Sequence, residues 1–118
     1  MTEETYAAVR KRITKANAAL RQGQPDTFKG FNMIHHQAMQ DGALDHKTKE
    51  LVAVALSVAS RCDPCIAFHV PAALRLGATR EEIMEILSVT VMMGGGPSLM
   101  YAAHVMDAVD EELGKAED

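Results

Sequence analysis

Glu50–Gly77 reads ELVAVALSVASRCDPCIAFHVPAALRLG, and its first third decides the fold. Leu51 to Ala59 is apolar except for Ser57, and Val52, Val54 and Val58 belong to a residue type that favours strands. A lone buried strand has nothing to pair with, and no other segment alternates apolar and polar residues convincingly. The run is therefore read as a helix, from His46 to about Ser60, with Asp45 as its N-cap. A helix apolar nearly all round must be buried nearly all round. A chain of this size covers such a helix poorly by itself, so subunits are expected to pack together here.

Working outward, a further helix starts near Pro64 and ends at Leu76-Gly77, where glycine suits a left-handed cap. Pro71 cannot donate to the carbonyl of Ala67 and is expected to kink that helix. Thr79-Arg80-Glu81-Glu82 matches a capping box, opening a helix that carries Ile83, Ile86, Leu87 and Met93. Gly94-Gly95-Gly96 stops it, and Pro97 fits the first turn of the last helix. Leu99, Ala103, Met106, Val109 and Leu113 are expected to form the buried stripe of that helix, and the tail Gly114–Asp118 to fray. Upstream, Tyr6, Val9, Ile13, Ala16 and Leu20 recur at helical spacing until Gly23 and Pro25 break the pattern. From about Pro25 a second helix should turn Phe28, Phe31, Ile34 and Ala38 inward, stopping at Asp41-Gly42. The reading is all-α, about six helices, one domain over residues 1–118.

Composition narrows the function. The 118 residues carry a net charge of −4; Lys11, Arg12, Lys15 and Arg21 lie on the first predicted helix, but acidic residues dominate elsewhere, which argues against nucleic acid. The segment MTEETYAAVRKR has no signal-peptide core, and no window approaches the roughly 18 uncharged apolar residues of a membrane span. A cytoplasmic location is expected. In that reducing compartment two close cysteines point to catalysis or metal binding rather than a permanent staple. Aromatic residues make up only 4 %, so the eight methionines read as core filler.

Cys62 and Cys65 form a Cys-x-x-Cys pair, and His69 follows Cys65 by four residues. Only a thiolate attacks. With Asp63 as N-cap and Pro64 at the first helical position, Cys65 falls in the first turn, where free N–H groups and the helix dipole favour an anion. His69 shares its helix face at a Cβ spacing of about 5–6 Å and can take the thiol proton. Asp63 opposes the anion unless capping occupies its carboxylate. One sulfur can attack and the other close a disulfide. Glu50 opens the most apolar helix, where burial favours a proton-transfer role, yet along a straight helix it stands roughly 18 Å from Cys62. A water would have to bridge any remaining gap, and first-turn charge on a helix is the plainer explanation of Glu50.

Glu50, Cys62-x-x-Cys65 and His69, spaced by twelve, three and four, resemble the active-site pattern of the AhpD-like alkylhydroperoxidases of the carboxymuconolactone decarboxylase superfamily. Leu74 to Ile83 and the Gly94-Gly95-Gly96-Pro97 loop are also similar to small members, and the likeness spans roughly Phe28 to Val109. The resemblance implies an all-helical fold in trimers or hexamers. It implies that Cys65 attacks, Cys62 resolves, His69 is the base and Glu50 completes a proton relay, with no cofactor. The substrate would be a hydroperoxide or disulfide, and an external dithiol of lipoyl or thioredoxin type would reset the pair. The chain departs from the best-known members at Pro64, where they carry a histidine, and corresponds to a single minimal repeat.

Other readings fit fewer residues. A zinc site would need Cys62, Cys65, His69 and a fourth ligand from His35, His36 or Glu50, but the Cys-x-x-Cys pair occurs once rather than twice. His35, His36 and His46 sit among polar residues and read as solvated, and His104 as a satisfied core or interface histidine. Lactone decarboxylation has no use for a redox dithiol. A non-catalytic oligomeric scaffold would carry unreactive thiols.

Overall fold

Polar caps set the helix boundaries. The structure is a computed structural model describing residues 4–117, in the order α1 (Tyr6–Gly23), α2 (Pro25–Ala38), α3 (His46–Ala59), α4 (Asp63–Arg75), α5 (Arg80–Gly94) and α6 (Gly96–Glu117). Thr5 accepts the N–H of Ala8, and Asp45 that of Thr48 at 2.8 Å. Thr79 and Glu82 exchange both bonds of the capping box. Hydrogen bonds from Thr48 hold the Asp45 carboxyl below its ordinary pKa, and the Thr79 N–H, then Lys47, does the same for Glu82. At the end of α4, Gly77 takes the expected left-handed conformation (φ 95°), and the N–H groups of Gly77 and Ala78 bond the carbonyls of Leu74 and Ala73.

The core lies where α3, α4, α5 and α6 meet. Val54, Val58, Ile66, Val70, Ile83, Val105 and Val109 are fully buried there, each contributing about 1.5–3 kcal/mol over an exposed position. α1 lies across α4, and Glu111 of α6 anchors its start by accepting the N–H groups of Tyr6 and Ala7 at 2.9 and 3.1 Å. Among the described residues there is no strand, and no helix is long and apolar enough to cross a membrane.

Several faces differ from expectation. α2 buries nothing in the single chain: Phe31, Ile34 and Ala38 are exposed. The buried stripe of α6 is Ala102, Val105, Ala108 and Val109, whereas Leu99, Ala103 and Leu113 point outward. Val52 and Leu56 of α3, Leu20 of α1 and Met93 of α5 are exposed as well. Helical period fixes which residues share a face; it does not say which of two apolar faces meets the core. The tail expected to fray is helical as far as Glu117; Asp118, like residues 1–3 of the amino-terminal segment, lies outside the described residues.

Pro71 leaves the carbonyl of Ala67 without its helical donor, and Arg10 of α1 supplies one, Nη1 to oxygen at 2.7 Å. Ala67 is fully buried, so an unpartnered carbonyl there would be costly. Arg10→Ala should lower unfolding stability by about 1–3 kcal/mol in urea titrations. Adding Pro71→Ala, which returns an N–H to the helix, should recover part of that loss.

Candidate active site

The turn between α3 and α4 builds the site. Arg61 adopts φ 54°, a left-handed conformation that costs a residue with a side chain about 1–2 kcal/mol. In return α3 closes tightly: Arg61 N–H bonds the Val58 carbonyl and Cys62 N–H the Ser57 carbonyl, both at 3.0 Å. Cys62 thus ends the cap of α3 and begins that of α4. Its Sγ accepts the N–H of Cys65 at 3.2 Å. The expected cap, Asp63, is instead the first helical residue, with Pro64 second. The half-buried Cys62 and Cys65 are joined as a disulfide, with Cα atoms 5.2 Å apart. In the reduced protein the same cap position would offer a thiolate at Cys62 a backbone N–H, so both sulfurs feel the helix start.

From this turn α4 runs back along α3, held by Val54 and Val58 against Ile66 and Val70. The docking sets His69 beside Glu50, Nδ1 to Oε2 at 2.7 Å. Sequence spacing left a gap for water; the contact is direct. Glu50 is 3 % exposed, and a carboxylate buried to that degree needs partners on both oxygens. Oε1 has His46 Nε2 at 3.4 Å. His46 was expected to be solvated, but its Nε2 is buried against Glu50, one helical turn away. That i, i+4 spacing was the available signal. His35 is exposed, as expected, and its ring stacks near that of His69 with centroids 6.4 Å apart. His36 lines a cleft of about 620 Å³ with Arg21, Phe28 and Met33, which the dithiol does not enter.

With Nδ1 turned to Glu50, His69 keeps Nε2 for exchange with a thiol or substrate. His69 lies one helical turn from Cys65 on the same face. A carboxylate that orients an imidazole, which in turn serves a nucleophile, is the arrangement of an activated thiol.

The other flank of the dithiol has its own partners. Asp63, released from capping, meets His104 Nδ1 through Oδ1 at 2.8 Å and accepts from the Tyr6 hydroxyl at 3.4 Å. The Tyr101 ring tilts against His104 at 4.7 Å. Burial, then the charges of Asp63, Asp107 and Glu111, push the Tyr6 phenol well above its ordinary pKa, keeping it a donor. Among the described residues no group of three or more His, Cys, Asp or Glu has metal-holding geometry.

Comparison with known proteins agrees with this architecture. A protein of Legionella pneumophila from the carboxymuconolactone decarboxylase family, solved in its apo form, superposes with a TM-score of 0.88 at 48 % identity, covering 91 % of this chain and 96 % of that one. A Thermotoga maritima family protein, described with a suggested part in antioxidative response, matches at TM-score 0.69 and 33 % identity, over 77 % of this chain and 93 % of that one. An uncharacterized protein of Cupriavidus necator is 43 % identical over 105 residues, covering 86 % of this chain and 93 % of its own length. The family model itself matches residues 25–108, spanning the second helix, both cysteines and the Glu50–His69 pair. This chain belongs to the carboxymuconolactone decarboxylase family.

Proposed function

We propose that the protein is a thiol-dependent peroxidase or disulfide reductase of the AhpD-like, peroxiredoxin type. The observation that carries the reading is the buried Glu50 carboxylate held 2.7 Å from His69, on the helix that begins at the Cys62–Cys65 pair. A proton pair in that place has a use when a thiol must be deprotonated and a leaving group protonated.

In the proposed cycle His69 takes the proton of Cys65, with Glu50 stabilising the imidazolium. The Cys65 thiolate attacks the distal oxygen of a hydroperoxide; the O–O bond breaks, Cys65 becomes a sulfenic acid, and the alkoxide leaves with the proton from His69. The Cys62 sulfur then attacks Cys65, forming the disulfide and expelling water. An external dithiol, of lipoyl or thioredoxin type, returns both cysteines to thiols and leaves as its own disulfide. With a disulfide substrate, Cys65 attacks sulfur, a thiolate departs, and Cys62 displaces the second thiol.

The cycle belongs to the reducing cytoplasm, where such donors are present. Exposed Phe31, Met33, Ile34, Val52 and Leu56 support association into trimers or hexamers. The test is hydroperoxide loss in metal-free buffer with dihydrolipoamide or a thioredoxin system as donor. Turnover supports the reading; stoichiometric zinc binding without turnover refutes it.

A further inference from the structure

We propose that His104 is a positioning residue for the dithiol: with Tyr6 it holds the Asp63 carboxylate away from the two sulfurs and offsets its charge. This rests on the proposed thiol chemistry and adds residues to it from α1 and α6.

Asp63 lies between the two cysteines in sequence, in the first turn of α4. A carboxylate so placed disfavours a thiolate at Cys62 or Cys65, because like charges repel across a few ångströms. Capping would have occupied it, but Cys62 takes the cap. The carboxylate is instead directed across the interhelical space: its Oδ1 meets His104 Nδ1 of α6 at 2.8 Å and accepts from the Tyr6 hydroxyl of α1 at 3.4 Å. Tyr101 against the His104 ring restricts its orientation. The charges around this group are defined on each side. From α1 come Tyr6 and, further along α4, Arg10 at the Ala67 carbonyl. From α6 come His104, with Asp107 and Glu111 acting on Tyr6. From α3 comes Glu50, already engaged by His69.

The two imidazole–carboxylate pairs flank the motif with opposite tasks. Glu50 presents His69 toward proton exchange. His104 withdraws Asp63 from it, its Nδ1 2.8 Å from the carboxylate. Asp63 and His104 are each about two-fifths exposed, so solvent screening keeps the effect moderate.

The experiment measures iodoacetamide alkylation of the fully reduced full-length protein against pH, with each cysteine read separately by mass spectrometry. His104→Gln should slow alkylation of the more reactive cysteine about fivefold at pH 7 and move its pH profile upward. Asp63→Asn should leave the rate at wild-type level or above it. The Asp63→Asn/His104→Gln double variant should match Asp63→Asn, because removing the carboxylate removes the need for its partner. A His104→Gln profile that overlays wild type, or a double variant as slow as His104→Gln alone, overturns the assignment. Circular dichroism melting identifies any variant that does not fold; the Asp63→Asn arm then decides, since a rate well below wild type there also contradicts the proposal. Alkylation needs no peroxide, so an enzyme without turnover would refute the proposed function and leave this result standing.

Discussion

Replacing Cys65 with serine is expected to lower hydroperoxide turnover by about 1000-fold or more, to the level of buffer. Serine keeps nearly the same volume, and its hydroxyl does not ionise at neutral pH, so the change removes the nucleophile with little disturbance of α4. Cys62→Ser separates the two roles. Cys65 should still react once with peroxide, but with no resolving sulfur its sulfenic acid persists and can be captured by a sulfenic-acid-selective dione reagent. The pair of variants therefore has an asymmetric signature: no adduct in Cys65→Ser, one adduct at residue 65 in Cys62→Ser. The structure makes this a substantive test, because Cys62, not Cys65, holds the cap position and accepts a backbone N–H. A mirror-image result, with the adduct on residue 62, would reverse the assignment of attack and resolution.

Glu50→Gln should reduce the peroxide step by about 100-fold while leaving the fold intact. The amide fills the same space and can still hydrogen-bond His69, but it no longer supplies the negative charge that stabilises an imidazolium at His69. Single-turnover kinetics on the reduced protein isolate this step from reset by the donor. A purely structural Glu50 would give the reverse pattern: a lower melting temperature with a wild-type rate. Glu50→Ala is a poorer probe, since it opens a cavity at a position only 3 % exposed and unmoors both imidazoles.

Much of this molecule could be read from short-range chemistry. Asp45, Thr79 with Glu82, and Gly77 mark helix ends through bonds made within a few residues, and the structure has each of them as expected. Cys62, Cys65 and His69 are equally local, falling within two turns of one helix. Glu50 is different. It lies 19 residues from His69, and what joins them is the packing of α3 on α4, which helical rise cannot supply. Its recruitment came from the resemblance rather than from spacing. The pairing of His104 with Asp63, 41 residues apart, is hidden for the same reason, as is that of Arg10 with the carbonyl that Pro71 leaves open. The outward faces of α2 and α6 are not legible in the sequence because these helices carry apolar side chains on more than one side. Inside one chain, the smaller Ala102, Val105 and Ala108 face the core, and the larger Leu99 and Met100 remain outside.

The most direct measurement is the stoichiometry of one oxidising event. The protein is reduced, freed of reductant, and mixed with one equivalent of hydroperoxide, then digested without reduction and its thiols counted. The account predicts that two thiols disappear per peroxide consumed and that the peptide containing residues 62–65 emerges two hydrogens lighter, with Cys62 bonded to Cys65. Peroxide left unconsumed while both thiols stay free, or oxidation to sulfinic and sulfonic acids with no Cys62–Cys65 bond, would contradict it.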